Sequence, residues 1–282
     1  MIELILCTIL NGASFLAQKA GVDHFGPFAI NCYRCLSAGA FLWLVSARRG
    51  RVGRIELTYG GIGGVLLFVA LVTQQIGIEY TTPGVSAFLT ANYVLIIPII
   101  GVFIGRRTGW ATWIAVAAAV VGTWLICVGG PFGMGKGEIW TLLCAVAYAL
   151  QIMVLDRGVR NGDPLKFCQV EMLVAGLVAL PFVFLPSEVS RASWDAFAAG
   201  LPALLFLGVG ISGISHILQC LGQKKISVVI ASIVLSLESV FAAVFGWLVM
   251  GDAMTMKQIA GCTLVFAAVI VSQVSSSRAA AR

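Results

Sequence analysis

LTYGGIGGVLLFVALVTQQIG, Leu57 to Gly77, runs its whole length without a charged side chain. An α-helix of about 20 apolar residues crosses the ~30 Å hydrocarbon core of a bilayer. Only a helix or a closed barrel satisfies every backbone N–H and C=O in that core. The stretch therefore predicts a transmembrane helix.

Working outward in both directions, charges and turn residues divide the chain into ten such segments: roughly 2–20, 27–46, 57–77, 82–104, 109–128, 137–155, 164–185, 197–222, 227–250 and 257–275. The predicted fold class is all-α, an integral membrane protein with ten transmembrane helices. Composition agrees. Of 282 residues, 60% are hydrophobic and 11% charged, against roughly 45–50% apolar in soluble domains. The first apolar run begins at Met1 with no basic leader or small-residue cleavage site, so we read it as a retained span. The eight cysteines fall mostly inside apolar segments. They indicate neither a disulfide framework nor a zinc site, and no cofactor is expected.

The net charge of +6 is gathered in short clusters between apolar runs. That is how topology is encoded, whereas nucleic-acid binding needs a continuous basic face. Arg48-Arg49-Gly50-Arg51 with Arg54 is thus read as a cytoplasmic loop. With the N-terminus in the cytoplasm, that side also collects Arg106, Arg107, Arg157, Arg160, Lys166, Lys224, Lys225, Arg278 and Arg282. The far side receives only Lys19, Lys136, Arg191 and Lys257. The bias predicts a multi-pass plasma-membrane protein with both termini cytoplasmic.

The chain also matches itself. Leu6-Cys7 recurs as Leu143-Cys144, Gly21-Val22 as Gly158-Val159, Pro27 as Pro164 and Ala38-Gly39 as Ala175-Gly176, all at one offset. After a longer loop, Gly63/Gly208, Gln74/Gln219, Gly77/Gly222, Gly101/Gly246, Ile114-Ala115/Ile259-Ala260 and Val120/Val265 pair at a second offset. We read two five-helix repeats, residues 1–130 and 131–282. Five is odd, so the second repeat enters from the opposite side. Inverted repeats give a transporter two near-equivalent packings, with substrate held near the midplane where they meet.

Gln74-Gln75-Ile76-Gly77-Ile78-Glu79-Tyr80-Thr81-Thr82, Leu235-Ser236-Leu237-Glu238-Ser239-Val240-Phe241-Ala242-Ala243 and Gly246-Trp247-Leu248-Val249-Met250-Gly251-Asp252 resemble the drug/metabolite transporter superfamily, specifically its two-repeat EamA-type members. The resemblance implies a bacterial inner-membrane transporter, commonly an exporter of small metabolites, amino acids or drugs. The family usually places proline after the glutamate of the second stretch. Here Ser239 follows Glu238, which removes the proline-based reason for a helix break.

Polar residues inside the apolar spans are the candidate site. Asn11, Ser14 and Gln18 share one face of the first span, and the repeat maps the first two onto Tyr148 and Gln151. They either line a central cavity or bond helix to helix. Gln74 and Asn92 are further candidates. Pro98 removes a backbone bond and predicts a kink near Val94. Arg34, whose repeat mate is Glu171, lies where an unpaired arginine costs roughly 2.5–3.5 kcal/mol, so an acidic or carbonyl partner is expected. It either draws an anionic substrate group or forms a structural ion pair. Glu171 and Glu238 are the candidate proton carriers, and Ser212, His216 and Gln219 share a face of the eighth span. Gly60-xxx-Gly64 and Gly101-xxx-Gly105 are read as packing within the monomer, with a homodimer as the alternative. Cys32 and Cys35, flanking Arg34, are read as packed thiols.

Two other function classes were weighed. Gly210-Ile211-Ser212-Gly213 resembles the motif of rhomboid-type intramembrane proteases, but these draw their histidine from a different helix. A channel needs rings of polar groups along an axis. The expected partners are a small-molecule substrate, the lipid bilayer and protons, without nucleic acid.

Overall fold

The computed structural model describes residues 2–103, 110–127, 135–226, 228–251 and 255–280. Met1, Gly105, Arg106, Arg107, Asp252 and Arg282, named above, lie outside the described residues. All described secondary structure is helical: α1 (Ile2–Gly21), α2 (Pro27–Ser46), α3 (Arg54–Glu79), α4 (Pro83–Thr90), α5 (Tyr93–Phe103), α6 (Trp110–Cys127), α7 (Lys136–Asn161), α8 (Pro164–Ala179), α9 (Pro186–Val189), α10 (Trp194–Leu205), α11 (His216–Lys225), α12 (Val228–Ser236), α13 (Glu238–Phe245) and α14 (Met256–Ala280). The segment Phe206–Ser215 is π-helical and joins α10 to α11 without interruption. Gly246–Met250 is π-helical too, and ends at Gly251, whose φ of 69° is the left-handed conformation that glycine adopts at a helix C-terminus.

Among the described residues, seven helical segments are long and apolar enough to cross a membrane: Ile2–Gly21, Pro27–Ser46, Arg54–Glu79, Pro83–Gly101, Lys136–Asn161, Pro164–Phe184 and Trp194–Lys225. Shorter apolar stretches follow at Val234–Met250 and Ile259–Ala268.

Local chemistry sets the helix starts. Pro83 and Pro164 each occupy the first turn, where a missing N–H costs nothing, behind an oxygen cap. The Thr82 hydroxyl accepts from Val85 N at 3.4 Å, and Asp163 accepts from Leu165 N at 2.8 Å and Lys166 N at 3.2 Å. The start of α2 is capped from a distance: the Glu188 carboxylate accepts from Ala29 N at 2.9 Å and Phe28 N at 3.4 Å. Lys19 serves the opposite kind of end, its Nζ donating to Ile78 O, Thr81 O and Glu79 O at 2.7, 2.9 and 3.3 Å where α3 stops.

The span that carries Pro98 is interrupted ahead of the proline. The helix breaks at Ala91 and Asn92, where bonding tightens to Asn92 N→Leu89 O at 3.2 Å and Val94 N→Ala91 O at 3.1 Å, and α5 then continues through Pro98. Asn92 makes the break tolerable, since its side-chain amide donates to Leu89 O at 3.0 Å and Phe88 O at 3.3 Å, carbonyls at the end of α4. A second break separates α12 from α13 at Leu237, with Leu237 N→Val234 O at 3.2 Å and Val240 N→Leu237 O at 3.0 Å. It needs no proline. At the second sequence offset Leu237 corresponds to Asn92 and Glu238 to Tyr93.

Helix α2 packs on α8, α3 on α7 and α8, and α6 on α14; α1 lies against α13 and against the run from α10 to α11. Glycine lets two of these axes approach closely. A Cβ on Gly39 would stand 2.5 Å from Leu173 Cδ2, and one on Gly176 would stand 2.7 Å from Leu36 Cδ2. Gly60 and Gly64 of α3 are likewise occupied inside the chain, against Val170 and Val174 of α8. α6 and α14 lie outermost, with Trp110, Trp113, Trp124, Ile259 and Ile270 exposed as a lipid-facing surface requires.

One end of the bundle is tied by Arg49–Asp163 at 3.1 Å, Arg160 to Ile226 O at 2.7 Å, Lys224 to Gly162 O at 2.9 Å and a Lys225–Glu3 pair. The other end holds Lys19, Glu188 and an Arg191–Glu79 pair at 3.0 Å.

Candidate functional site

Side chains from continuous helices, from the π-helical segment and from the break ahead of Glu238 converge inside the bundle. Around them lies a cavity of about 70 Å³, space for several water molecules. Asn11, Ser14, Gln18, Arg34 and Gln74 line it from the first half of the chain. Tyr148, Gln151, Ser212, His216, Gln219 and Glu238 line it from the second. Tyr93 and apolar side chains, among them Phe15, Leu67, Leu71, Met172 and Leu235, complete the wall.

Three hydrogen-bonded groups organise these side chains. In the first, Glu238 accepts from Asn11 Nδ2 at 3.2 Å through Oε2 and from Tyr93 Oη at 3.4 Å through Oε1. Asn11 Oδ1 in turn accepts from Ser215 Oγ at 2.8 Å. One carboxylate thus joins α1, α5 and α13 at the place where α12 breaks. Tyr93 was not singled out from sequence, although the repeat offset that pairs it with Glu238 would have found it.

The second group centres on Glu171, which is fully buried. Its Oε1 accepts from Gln151 Nε2 at 2.8 Å, and its Oε2 lies 2.6 Å from His216 Nε2. Glu171 does not line the cavity itself but holds two side chains that do.

The third group differs from expectation. Arg34 is 3% exposed, and its Nε donates to Ser212 Oγ at 2.9 Å. Among the described residues no carboxylate comes within 4.0 Å of its guanidinium, so the ion-pair reading of Arg34 is replaced by a hydroxyl partner. Glu171, its repeat mate, is instead engaged by His216. Nη1 of Arg34 is buried without a hydrogen-bond partner. This is the group in the cavity wall with most unused donor capacity.

Gln18 donates to Ser14 Oγ at 3.4 Å, Ser14 to Asn11 O at 2.6 Å, and Gln74 to Thr90 Oγ1 at 3.3 Å. Asn92 is not brought to the cavity, since its amide is occupied at the α4–α5 break. Ser212 and His216 both face the cavity, but the hydroxyl is committed to Arg34 and the imidazole to Glu171. They do not bond to each other as a nucleophile and base would.

Behind His216 stands a cluster that the sequence reading did not anticipate. Cys168 of α8 and Cys220 of α11 place their sulfurs 2.9 Å apart, and with a His216 ring nitrogen the potential ligand atoms lie within 4.8 Å of one another, all three residues buried. No short motif joins Cys168 to Cys220, so the packing of α8 on α11 was needed to bring them together. Cys32 and Cys35 are buried free thiols, Cys32 lying 3.5 Å from Gly176 O.

An all-helical apolar bundle enclosing a chamber of amides, hydroxyls and charged groups belongs to the class of membrane transport proteins. The comparison with known proteins narrows that class: residues 1–128 and 135–273 match the EamA-like transporter family, and the chain belongs to it. A relative from Archaeoglobus fulgidus, named an uncharacterized transporter, is 26% identical over 274 residues, 95% of this chain and 83% of that protein. The uncharacterized transporter YoaV of Bacillus subtilis is 19% identical over 289 residues, 99% of this chain and 98% of the relative. One solved crystal structure shares the fold at a TM-score of 0.71, covering 98% of this chain and 96% of that one at 16% identity.

Proposed function

We propose that this transporter moves a small metabolite, amino-acid-like in size, or a drug outward across the plasma membrane by alternating access, with Glu238 carrying a coupling proton. The observation that carries the reading is the cavity: a polar chamber lined from both halves of an otherwise apolar bundle. Arg34, with an unpartnered buried nitrogen among the described residues, and Glu238, held by Asn11 and Tyr93, offer charges of opposite sign to whatever enters.

Paired contacts support the inverted arrangement of 1–130 and 131–282 as ten spans. Gly39 receives Leu173 while Gly176 receives Leu36, which are equivalent positions exchanged between α2 and α8. Gly77 meets Thr141 and Gly222 meets Leu4, again equivalent positions. Two such halves rocking against each other would expose the chamber to one side and then the other. Cytoplasmic termini are supported by the basic residues gathered at one end of the bundle. The monomer is the transporting unit in this reading, since Gly60 and Gly64 are used within the chain.

Energetics allow one proton to suffice. Export against a hundredfold gradient requires about 2.8 kcal/mol, at ~1.4 per factor of ten. One charge crossing ~100 mV supplies about 2.3 kcal/mol before any pH gradient is added.

The test has two stages. A thermal-stabilisation screen of purified protein against amino acids, nucleobases, sugars, organic acids and cationic drugs identifies a ligand, whose effect should vanish in Asn11→Ala and Gln151→Ala. Flux of that ligand in proteoliposomes should then respond to an imposed pH gradient in the native protein and lose that response in Glu238→Gln. Undiminished pH-driven flux in Glu238→Gln removes the coupling role, and a ligand unaffected by both cavity variants removes the cavity.

A further inference from the structure

We propose that Cys168, Cys220 and His216 form a binding site for a thiophilic monovalent d10 cation, Cu⁺ by chemistry, buried between α8 and α11 next to the central cavity. The inference stands apart from the transport reading. It rests on the donor set.

Two thiols and an imidazole with donor atoms within 4.8 Å make a ligand sphere rich in soft donors, and Cu⁺ is among the ions that thiolates favour. Zinc completes four-coordination, with a fourth protein ligand in structural sites or a bound water beside three ligands in catalytic ones, whereas the cluster here supplies three donors, all buried. Cu⁺ accepts that lower coordination number.

The histidine is already oriented as a metal ligand. Its Nε2 is engaged by Glu171 Oε2 at 2.6 Å, which leaves the other ring nitrogen for an ion. A carboxylate holding the second nitrogen of a ligating histidine is the usual support for that role. Glu171 is itself fixed by Gln151 at 2.8 Å, so the imidazole is held through two helices.

Binding breaks two S–H bonds and forms two S–Cu bonds, releasing two protons, with no change in oxidation state. The product carries one net negative charge. Arg34, bonded to Ser212 four residues before His216, is the compensating cation. The sulfurs, 2.9 Å apart, must separate by roughly 1 Å to sit at about 2.3 Å from one ion, a movement within reach of cysteine χ1 rotation. His216 lines the cavity, which gives the ion its path to two thiols that solvent does not reach.

The arrangement differs between the halves. At the repeat positions of Cys168 and Cys220 the first half carries Asn31 and Gln75. The site therefore occurs once and does not follow from the repeat.

The experiment uses the full chain purified in detergent under anaerobic, reducing conditions. Cu⁺ is titrated in competition with a chromophoric Cu⁺ chelator. The expected result is one equivalent held by the native protein, lost in Cys168→Ser and Cys220→Ser, weakened more than tenfold in His216→Gln, and retained in Cys32→Ser. X-ray absorption on the loaded native protein should show two sulfurs and one nitrogen around copper, a readout that holds if a variant fails to fold. Equal copper uptake in all the variants, no uptake by the native protein, or a shell without two sulfurs would each overturn the proposal.

Discussion

Replacing Glu171 tests whether one buried carboxylate organises the cavity wall. In Glu171→Ala, Gln151 Nε2 and the ring of His216 lose their acceptor. Each buried donor left unsatisfied costs about 1–3 kcal/mol in soluble proteins, while an average interhelical bond in a membrane bundle is worth ~0.6 kcal/mol. Glu171 is 0% exposed, so bulk solvent does not reach either bond. The larger scale therefore applies, and the loss should approach the roughly 3–5 kcal/mol typical of breaking a buried pair. Glu171→Gln behaves differently. Its amide oxygen can accept from Gln151 and its amide nitrogen can donate to His216 once the ring proton moves to Nδ1. Both bonds survive without charge assistance, and about 1 kcal/mol is lost. Reversible unfolding by SDS in mixed micelles measures the order native, Gln, Ala. A double-mutant cycle of Glu171→Ala with Gln151→Ala should show a coupling energy above about 0.5 kcal/mol. If Glu171→Ala unfolds within ~0.5 kcal/mol of the native protein and the cycle is additive, the carboxylate does not organise the wall.

Two further predictions concern the scaffold. Gly39→Val and Gly176→Val should each destabilise by about 1–3 kcal/mol through overpacking. Gly176 should be the worse, because its Cβ would meet backbone N of Leu36 at 3.1 Å whereas Gly39 meets that of Leu173 at 3.5 Å; the double variant, measured by the same unfolding titration, should lose less than the sum, since either change already parts α2 from α8. Glu188, in the loop helix α9, has its carboxyl pushed above the usual range by burial, only partly offset by the N–H groups of Ala29 and Phe28. An acid whose folded pKa is raised adds stability that is full below its unfolded value of about 4.5 and is lost as pH rises through the folded value. Stability should therefore fall with rising pH across that interval, and Glu188→Gln should flatten the slope. A slope unchanged in Glu188→Gln assigns the pH dependence to other groups.

The chain itself determined the solvent it lives in. Charge-free runs such as Leu57–Gly77 leave helix as the open-ended solution for backbone polar groups in hydrocarbon, and that rule needs no tertiary information. Sequence also placed Asn11, Ser14, Gln18, Arg34, Gln151, His216 and Glu238 on inward faces, because a polar group inside an apolar helix must turn from lipid. Partners were another matter. Arg34 was expected to find an acidic or carbonyl partner and found the Ser212 hydroxyl, while Glu171 went to His216, since which inward groups meet depends on how α2, α8 and the π-helical segment are rotated against one another. The break at Leu237 forms without proline, and the break at Ala91 and Asn92 lies ahead of Pro98, where the Asn92 amide takes up the carbonyls of Phe88 and Leu89. Sequence spacing fixes which face of a helix a residue occupies. Only the packing of helix on helix decides what that face touches, and hence that Cys168 and Cys220, far apart in the chain, end in contact beside the cavity.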